Sequence, residues 1–153
     1  MAVESLDHLV LPVGDLATAR KRYVELGFQV SPKARHPFGT ANCRVFFENR
    51  TYLEPIATAD AAAVAAGIEE NLVFLQRIEA FRGRYGEGFV MAALKSTDAA
   101  ADHARFAAAG IAFGDLFAFI AKTRDETGAT LDYGVRLAFA ATDAAPDAAL
   151  YSC

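Results

Sequence analysis

The sequence predicts an α+β fold of two βαβββ modules in a single domain, residues 1–57 and 89–153, joined by a helical connection over 58–88. Three observations carry this. An internal repeat relates residues 13–28, "VGDLATARKRYVELGF", to residues 96–111, "STDAAADHARFAAAGI", without a gap. Asp15, Ala17, Arg22, Tyr23 and Gly27 fall on Asp98, Ala100, Arg105, Phe106 and Gly110, an offset of 83. A short apolar stretch of strand composition precedes each copy, and several more follow it. The length, 153 residues, suits one compact core.

The elements follow in order. "SLDHLVLPV" is the first strand; its alternation sets Leu6, His8 and Val10 on one face and Asp7, Leu9 and Leu11 on the other. Asp15 is placed to cap the first helix and Gly27 to end it. Three strand-like stretches come next, "FQVSP", "TANCRVFF" and "TYLEPIA". A three-residue loop, Glu48–Arg50, would pair Phe46 with Tyr52 and set Arg44 opposite Glu54. In that register Asn42, Arg44, Phe46, Tyr52 and Glu54 share a face that suits a small-molecule pocket. Ala41, Cys43, Val45, Leu53 and Pro55 share an apolar face that suits helix packing.

The alanine-rich stretch Ala57–Ala66 is expected to be the flexible segment of the connection. Ile68, Leu72, Leu75, Ile78 and Phe81 follow at helical spacing, and Gly83, Gly86 and Gly88 end the run. The second module repeats the order with "GFVMAALKS", the capped helix after Asp98, then "IAFGDLFAFIAKT", "TLDYGVRLAFAAT" and "AALYSC".

Composition excludes several classes of function. A formal charge of −4 without a basic run argues against nucleic acid or an anionic membrane as partner. No apolar run reaches the roughly 20 residues a membrane span needs. Two distant cysteines, Cys43 and Cys153, with no leader-like segment, point to a cytoplasmic protein with reduced thiols. Nucleophile-elbow, phosphate-loop and Cys-x-x-Cys motifs are missing, so nucleophilic and nucleotide-dependent catalysis lack support.

The paired modules, the opening "LDHLVLPVGDL", the "RHPFGTAN" loop and the "TYLEP" strand together resemble a glyoxalase-like domain of the vicinal oxygen chelate superfamily. The resemblance spans nearly the whole chain. It implies that the two modules form a curved, incompletely closed mixed β-barrel, with helices outside and a cavity inside. It also implies that in metal-dependent members the ligands come from the first and last strands of each module. Carried onto this chain, the metal candidates are His8 and Glu54, a donor pair suited to Zn, Ni, Mn or Fe. Met91 stands at the offset position of His8, and a thioether is a poor ligand for a hard ion. The counterpart of Glu54 is expected near or just past "LYSC". The sequence is therefore expected to stop inside its last strand, leaving an edge for a second chain to cover in a homodimer. Cys153 is a soft third donor to consider.

Each candidate has a plainer role beside the functional one. Glu54 either meets a metal with His8 or pairs with Arg44 across the hairpin. Glu54 and His36 are the candidates for acid–base chemistry; His36 precedes Pro37 on a loop that the resemblance places at the cavity mouth, where it is also an ordinary exposed side chain. Arg136, on a face with Asp132 and Gly134, is a candidate anchor for a substrate carboxylate or a partner of Asp132. His103, on the second helix, reads as a surface residue. Two functions remain. The first is a small-molecule-binding domain that is metal-free or weakly metal-binding. The second is a metal-dependent lyase, isomerase or dioxygenase acting on a substrate with vicinal oxygens.

Overall fold

The computed structural model describes residues 5–124, 127–142 and 144–153. The first module runs β1 (Leu6–Pro12), α1 (Leu16–Glu25), β2 (Gln29–Val30), β3 (Ala34–Arg35), β4 (Thr40–Asn42), β5 (Val45–Phe46) and β6 (Tyr52–Thr58). The connection holds α2 (Ala61–Glu69) and α3 (Val73–Tyr85). The second module runs β7 (Met91–Leu94), α4 (Ala99–Ala108), β8 (Phe117–Arg124), β9 (Thr130–Ala140) and β10 (Ala149–Ser152). No helix among the described residues is long and apolar enough to cross a membrane.

The strands form one curled, incompletely closed mixed sheet in the order β2-β5-β6-β1-β7-β10-β9-β8, with β4 pairing β6 and β3 pairing β4. At its centre β1 and β7 run antiparallel, β6 lies parallel to β1, and β10 lies parallel to β7. The repeat seen in the sequence is thus the pseudosymmetry of the sheet. Each helix of the repeat starts at the expected cap. Asp15 accepts from the Thr18 amide at 2.6 Å, and Asp98 from the Ala100 and Ala101 amides at 3.1 and 3.0 Å.

Two expectations change. Ala57–Ala66 is regular structure, because Ala57 and Thr58 finish β6 and the following alanines build α2 behind an Asp60 cap. Alanine is the strongest helix former, so a capped run of it folds as soon as Val64 finds a core. The final strand is also no open edge: β10 pairs with β7 on one side and β9 on the other. The unpaired-edge reason for a dimer therefore falls away.

The two sides of the sheet pack differently. Val13 and Leu16 cover Ala41 and Cys43 on the outer side, where α1 lies. On the concave side Val10 and Ile56 meet Val73, Phe74, Leu75 and Ile78 of α3. The α2–α3 pair therefore plugs one end of the curve, and what it leaves open is the cavity.

Candidate functional site

The hairpin register puts the polar residues into that cavity. Phe46 pairs with Tyr52 and Val45 with Leu53, and Arg50 takes a left-handed φ of 67° in the three-residue loop. Asn42, Arg44, Tyr52 and Glu54 line the cavity, while Phe46, on the same face, stands beyond its edge with its ring 6.0 Å from that of Tyr52. His8 and His36 line it too. Arg136 does not: Tyr133, Val135 and Leu137 of β9 face the cavity, and strand alternation turns Arg136 to the exposed opposite side. His103 is exposed, with Nε2 3.0 Å from the Gly114 carbonyl.

His8 is the centre of the buried end. It is 3% exposed, and its ring stacks on Tyr52 at 4.4 Å. The pairing of β1 with β7 shifts between Leu6 and His8, which inserts Asp7 as an extra residue. A bulge re-aims side chains, so Asp7 reaches its own neighbour, with Oδ2 2.7 Å from His8 Nδ1. On the other side of the ring, Nε2 lies 2.6 Å from the Tyr151 hydroxyl and 3.3 Å from Glu54 Oε2. Burial by itself pushes the imidazole pKa down, but the bonds to Asp7 and Glu54 and their charges outweigh it and raise it from 6.5 to about 9. His8 is therefore an imidazolium at neutral pH and donates from both nitrogens. Tyr151 accepts, and burial keeps its phenol neutral. Its own proton has no acceptor among the described residues and is available to a ligand.

Glu54 does not pair with Arg44, although the two stand opposite in register. Its Oε1 accepts from the Asn42 amide and its Oε2 faces His8. Burial pushes the carboxyl up, yet the bond to His8, the charge of His8 and the Asn42 bond hold it below the usual range. An ionised carboxylate only accepts, which fixes the Asn42 amide with its nitrogen inward. That nitrogen is also 3.4 Å from His36 Nε2, so Nε2 carries the lone pair. The proton then sits on Nδ1 and is donated to Thr40 Oγ1 at 2.8 Å. Burial lowers the His36 pKa, partly countered by Glu54 and reinforced by Arg44, and the ring stacks on Phe38 at 4.9 Å. A neutral histidine with a directed lone pair thus stands beside a carboxylate, its Nε2 3.9 Å from Glu54 Oε1.

Register also identifies the missing fourth position. Val10 pairs with Glu54, and its repeat equivalent Ala93 pairs with Tyr151. Tyr151 is thus the counterpart of Glu54, and the four corresponding positions are His8, Glu54, Met91 and Tyr151. This set does not fit a divalent ion. Met91 is buried in the apolar core and does not line the cavity. Tyr151 is a neutral phenol, and His8 Nε2 is already committed to Tyr151 and Glu54. No three His, Cys, Asp or Glu among the described residues are grouped to hold a metal. Cys153 lines the cavity, but burial, with Asp7 and Glu54 nearby, raises its thiol to about 11, which keeps it protonated and a weak donor.

The cavity has a volume of about 160 Å³. Opposite the polar end its walls are Phe38, Phe74, Phe119 and Tyr133. Sequence reasoning missed Asp7, because a bulge leaves no mark in the composition. It missed Tyr151 by a short distance, since alternation within "ALYSC" already allowed it.

The model of the glyoxalase-like domain family matches residues 6–150. Among solved structures, methylmalonyl-CoA epimerase from Mycobacterium tuberculosis is similar at 18% identity with a TM-score of 0.66, over 99% of this chain and 90% of that one. A hypothetical protein from Bacillus halodurans C-125 is similar at 15% identity and a TM-score of 0.68, over 99% and 94%. A variant of Streptomyces coelicolor methylmalonyl-CoA epimerase in complex with 2-nitronate-propionyl-CoA is similar at 16% and 0.65, over 99% and 96%. At these identities the likeness establishes the fold. No curated protein matches the chain.

Proposed function

Because the chain belongs to the glyoxalase-like domain family, we propose that the cavity inside its curved sheet receives a small organic molecule and that it does so without a metal. The observation that carries this reading is the polar cluster at the closed end of an aromatic-walled cavity. There His8, Glu54 and Asn42 satisfy one another, the Tyr151 hydroxyl proton stays available, and the His36 Nε2 lone pair meets only the long 3.4 Å contact from the Asn42 amide. A few convergent polar groups set in an apolar cavity are the usual make-up of a small-molecule site. A ligand carbonyl would accept from Tyr151, and a ligand hydroxyl would donate to His36. The Asp7–His8–Glu54 chain holds both groups in place.

The test fills the cavity. Ala121 is a small buried residue in its wall. Replacing it by Phe occupies the ligand's space, so fragments that bind the parent protein in ligand-observed NMR are expected to lose binding to Ala121→Phe. Undiminished binding to that variant would put the ligand elsewhere.

A metal-dependent lyase, isomerase or dioxygenase is the second reading, favoured by the convergence of His8 and Glu54 from the first and last strands of one module. It requires that elemental analysis find a stoichiometric metal which His8→Ala and Glu54→Ala both lose. Equal, near-zero metal in all three proteins rejects it.

A further inference from the structure

We infer that the ligand of this cavity is a small monocyclic anion whose acidic group is held by Arg44 at the mouth. The inference rests on the small-molecule reading above and adds the charge and size of the ligand.

The protein carries a net −4, yet the charge around this cavity has the opposite sign. Arg35 and Arg44 line it, Lys122 stands at its rim across the strand pair from Asp132, and the one side-chain carboxylate in its wall among the described residues is Glu54. Glu54 is already committed to His8 and Asn42. Arg44 is the telling residue. It is half-buried and stands opposite Glu54 in the hairpin register, but it forms no ion pair among the described residues. Its guanidinium lies 5.9 Å from the centroids of both Phe46 and Tyr52. Two rings at that distance restrain it while leaving the N–H fork unpaired. A half-buried, restrained and unpaired guanidinium at a cavity mouth is preorganised for bidentate contact with a carboxylate or phosphate.

Size narrows the class. The cavity volume, about 160 Å³, is close to the roughly 150 Å³ of an apolar cavity that accepts one benzene ring. A single ring fits in the cavity beside the packed Phe38–Phe119 pair and Tyr133, with its acidic group outward at Arg44 and any second oxygen inward at Tyr151 and His36. A larger molecule would leave most of its bulk outside.

The test is isothermal titration calorimetry with benzoate, phenylphosphate and the neutral isostere benzamide, on the parent protein and on Arg44→Gln. Benzoate or phenylphosphate is expected to bind about tenfold or more tightly than benzamide, as a charged hydrogen bond supplies. Which of the two binds better assigns the anion as carboxylate or phosphate. Arg44→Gln is expected to remove the preference and leave benzamide within about twofold. Should that variant fold poorly, Arg35→Ala with Lys122→Ala, both exposed, is expected to weaken the two anions several-fold. Benzamide binding as well as both anions overturns the inference and leaves the small-molecule reading standing. A preference that survives both variants overturns the role of the basic rim. Failure of all three probes to bind overturns both readings.

Discussion

Replacing Glu54 by Gln keeps the shape of the buried end and removes its central charge. The rise in the His8 pKa from 6.5 to about 9 corresponds to a preference of roughly 3 kcal/mol for the charged ring in the folded state. Glu54 and Asp7 supply that preference against the opposing cost of burial, so without Glu54 the ring's pKa falls while the Asp7 bond remains. The depressed pKa of Glu54 reflects the same contact seen from its partner and is not added again. Because His8 can release its proton, the loss stays near the low end of the roughly 3–5 kcal/mol for breaking a buried pair. At about 2–4 °C per kcal/mol for a chain of this size, Glu54→Gln is expected to melt about 6–12 °C below the parent at pH 6. The sign with pH follows from the raised pKa. The stabilisation is fully present below 6.5 and is lost as pH rises through about 9. The gap between the two proteins should therefore shrink by pH 10. The assay is a pair of circular-dichroism melts at pH 6 and pH 10. A gap under about 2 °C at pH 6, or an equal gap at both, would refute the buried ion pair.

Four further outcomes are expected. Tyr151→Phe removes one hydrogen bond to His8, costs about 1 kcal/mol in urea unfolding, and weakens any ligand whose carbonyl uses that hydroxyl. Met91→His combined with Tyr151→Glu places four donor side chains at the corresponding strand positions. It is expected to bind Ni²⁺ at least tenfold more tightly than the parent in calorimetry, and no gain would refute the pseudosymmetry argument. Gly39→Ala is expected to cost about 2 kcal/mol or more in chemical denaturation. Its φ is +93°, and a Cβ there would lie 2.6 Å from the Asp60 carbonyl. Arg136→Ala, on the exposed side, is expected to leave stability within about 0.5 kcal/mol and fragment affinity within twofold.

How far the fold was legible in the sequence follows from what is local. The caps at Asp15 and Asp98 and the 83-residue repeat are local or periodic, and they led directly to two βαβββ modules. The hairpin register was equally legible, since loop length fixes pairing. The partners of Glu54 were not legible from the residues alone, and only the family resemblance brought His8 to it. Register sets Arg44 opposite it, but Asn42, two residues earlier on the same face, and His8 on the neighbouring parallel strand reach its oxygens first. Parallel neighbours far apart in sequence leave no pattern to read. Arg136 shows the other limit: alternation separates the two faces of a strand correctly but does not say which face is concave. Ala57–Ala66 was misread because low complexity suggested flexibility where helix propensity and a cap decided the matter.

A metal-free small-molecule cavity makes two demands, an aromatic-walled binding space and independence from metal, and one measurement addresses both. Fragment binding is followed by NMR of the protein's aromatic side chains, once in EDTA and once with a stoichiometric divalent metal. Shifts confined to Tyr52, Phe119, Tyr133 and His36, with the same affinities in both conditions, are the expected result. Shifts that arise only when the metal is added, or that fall outside the cavity, would contradict a metal-free site.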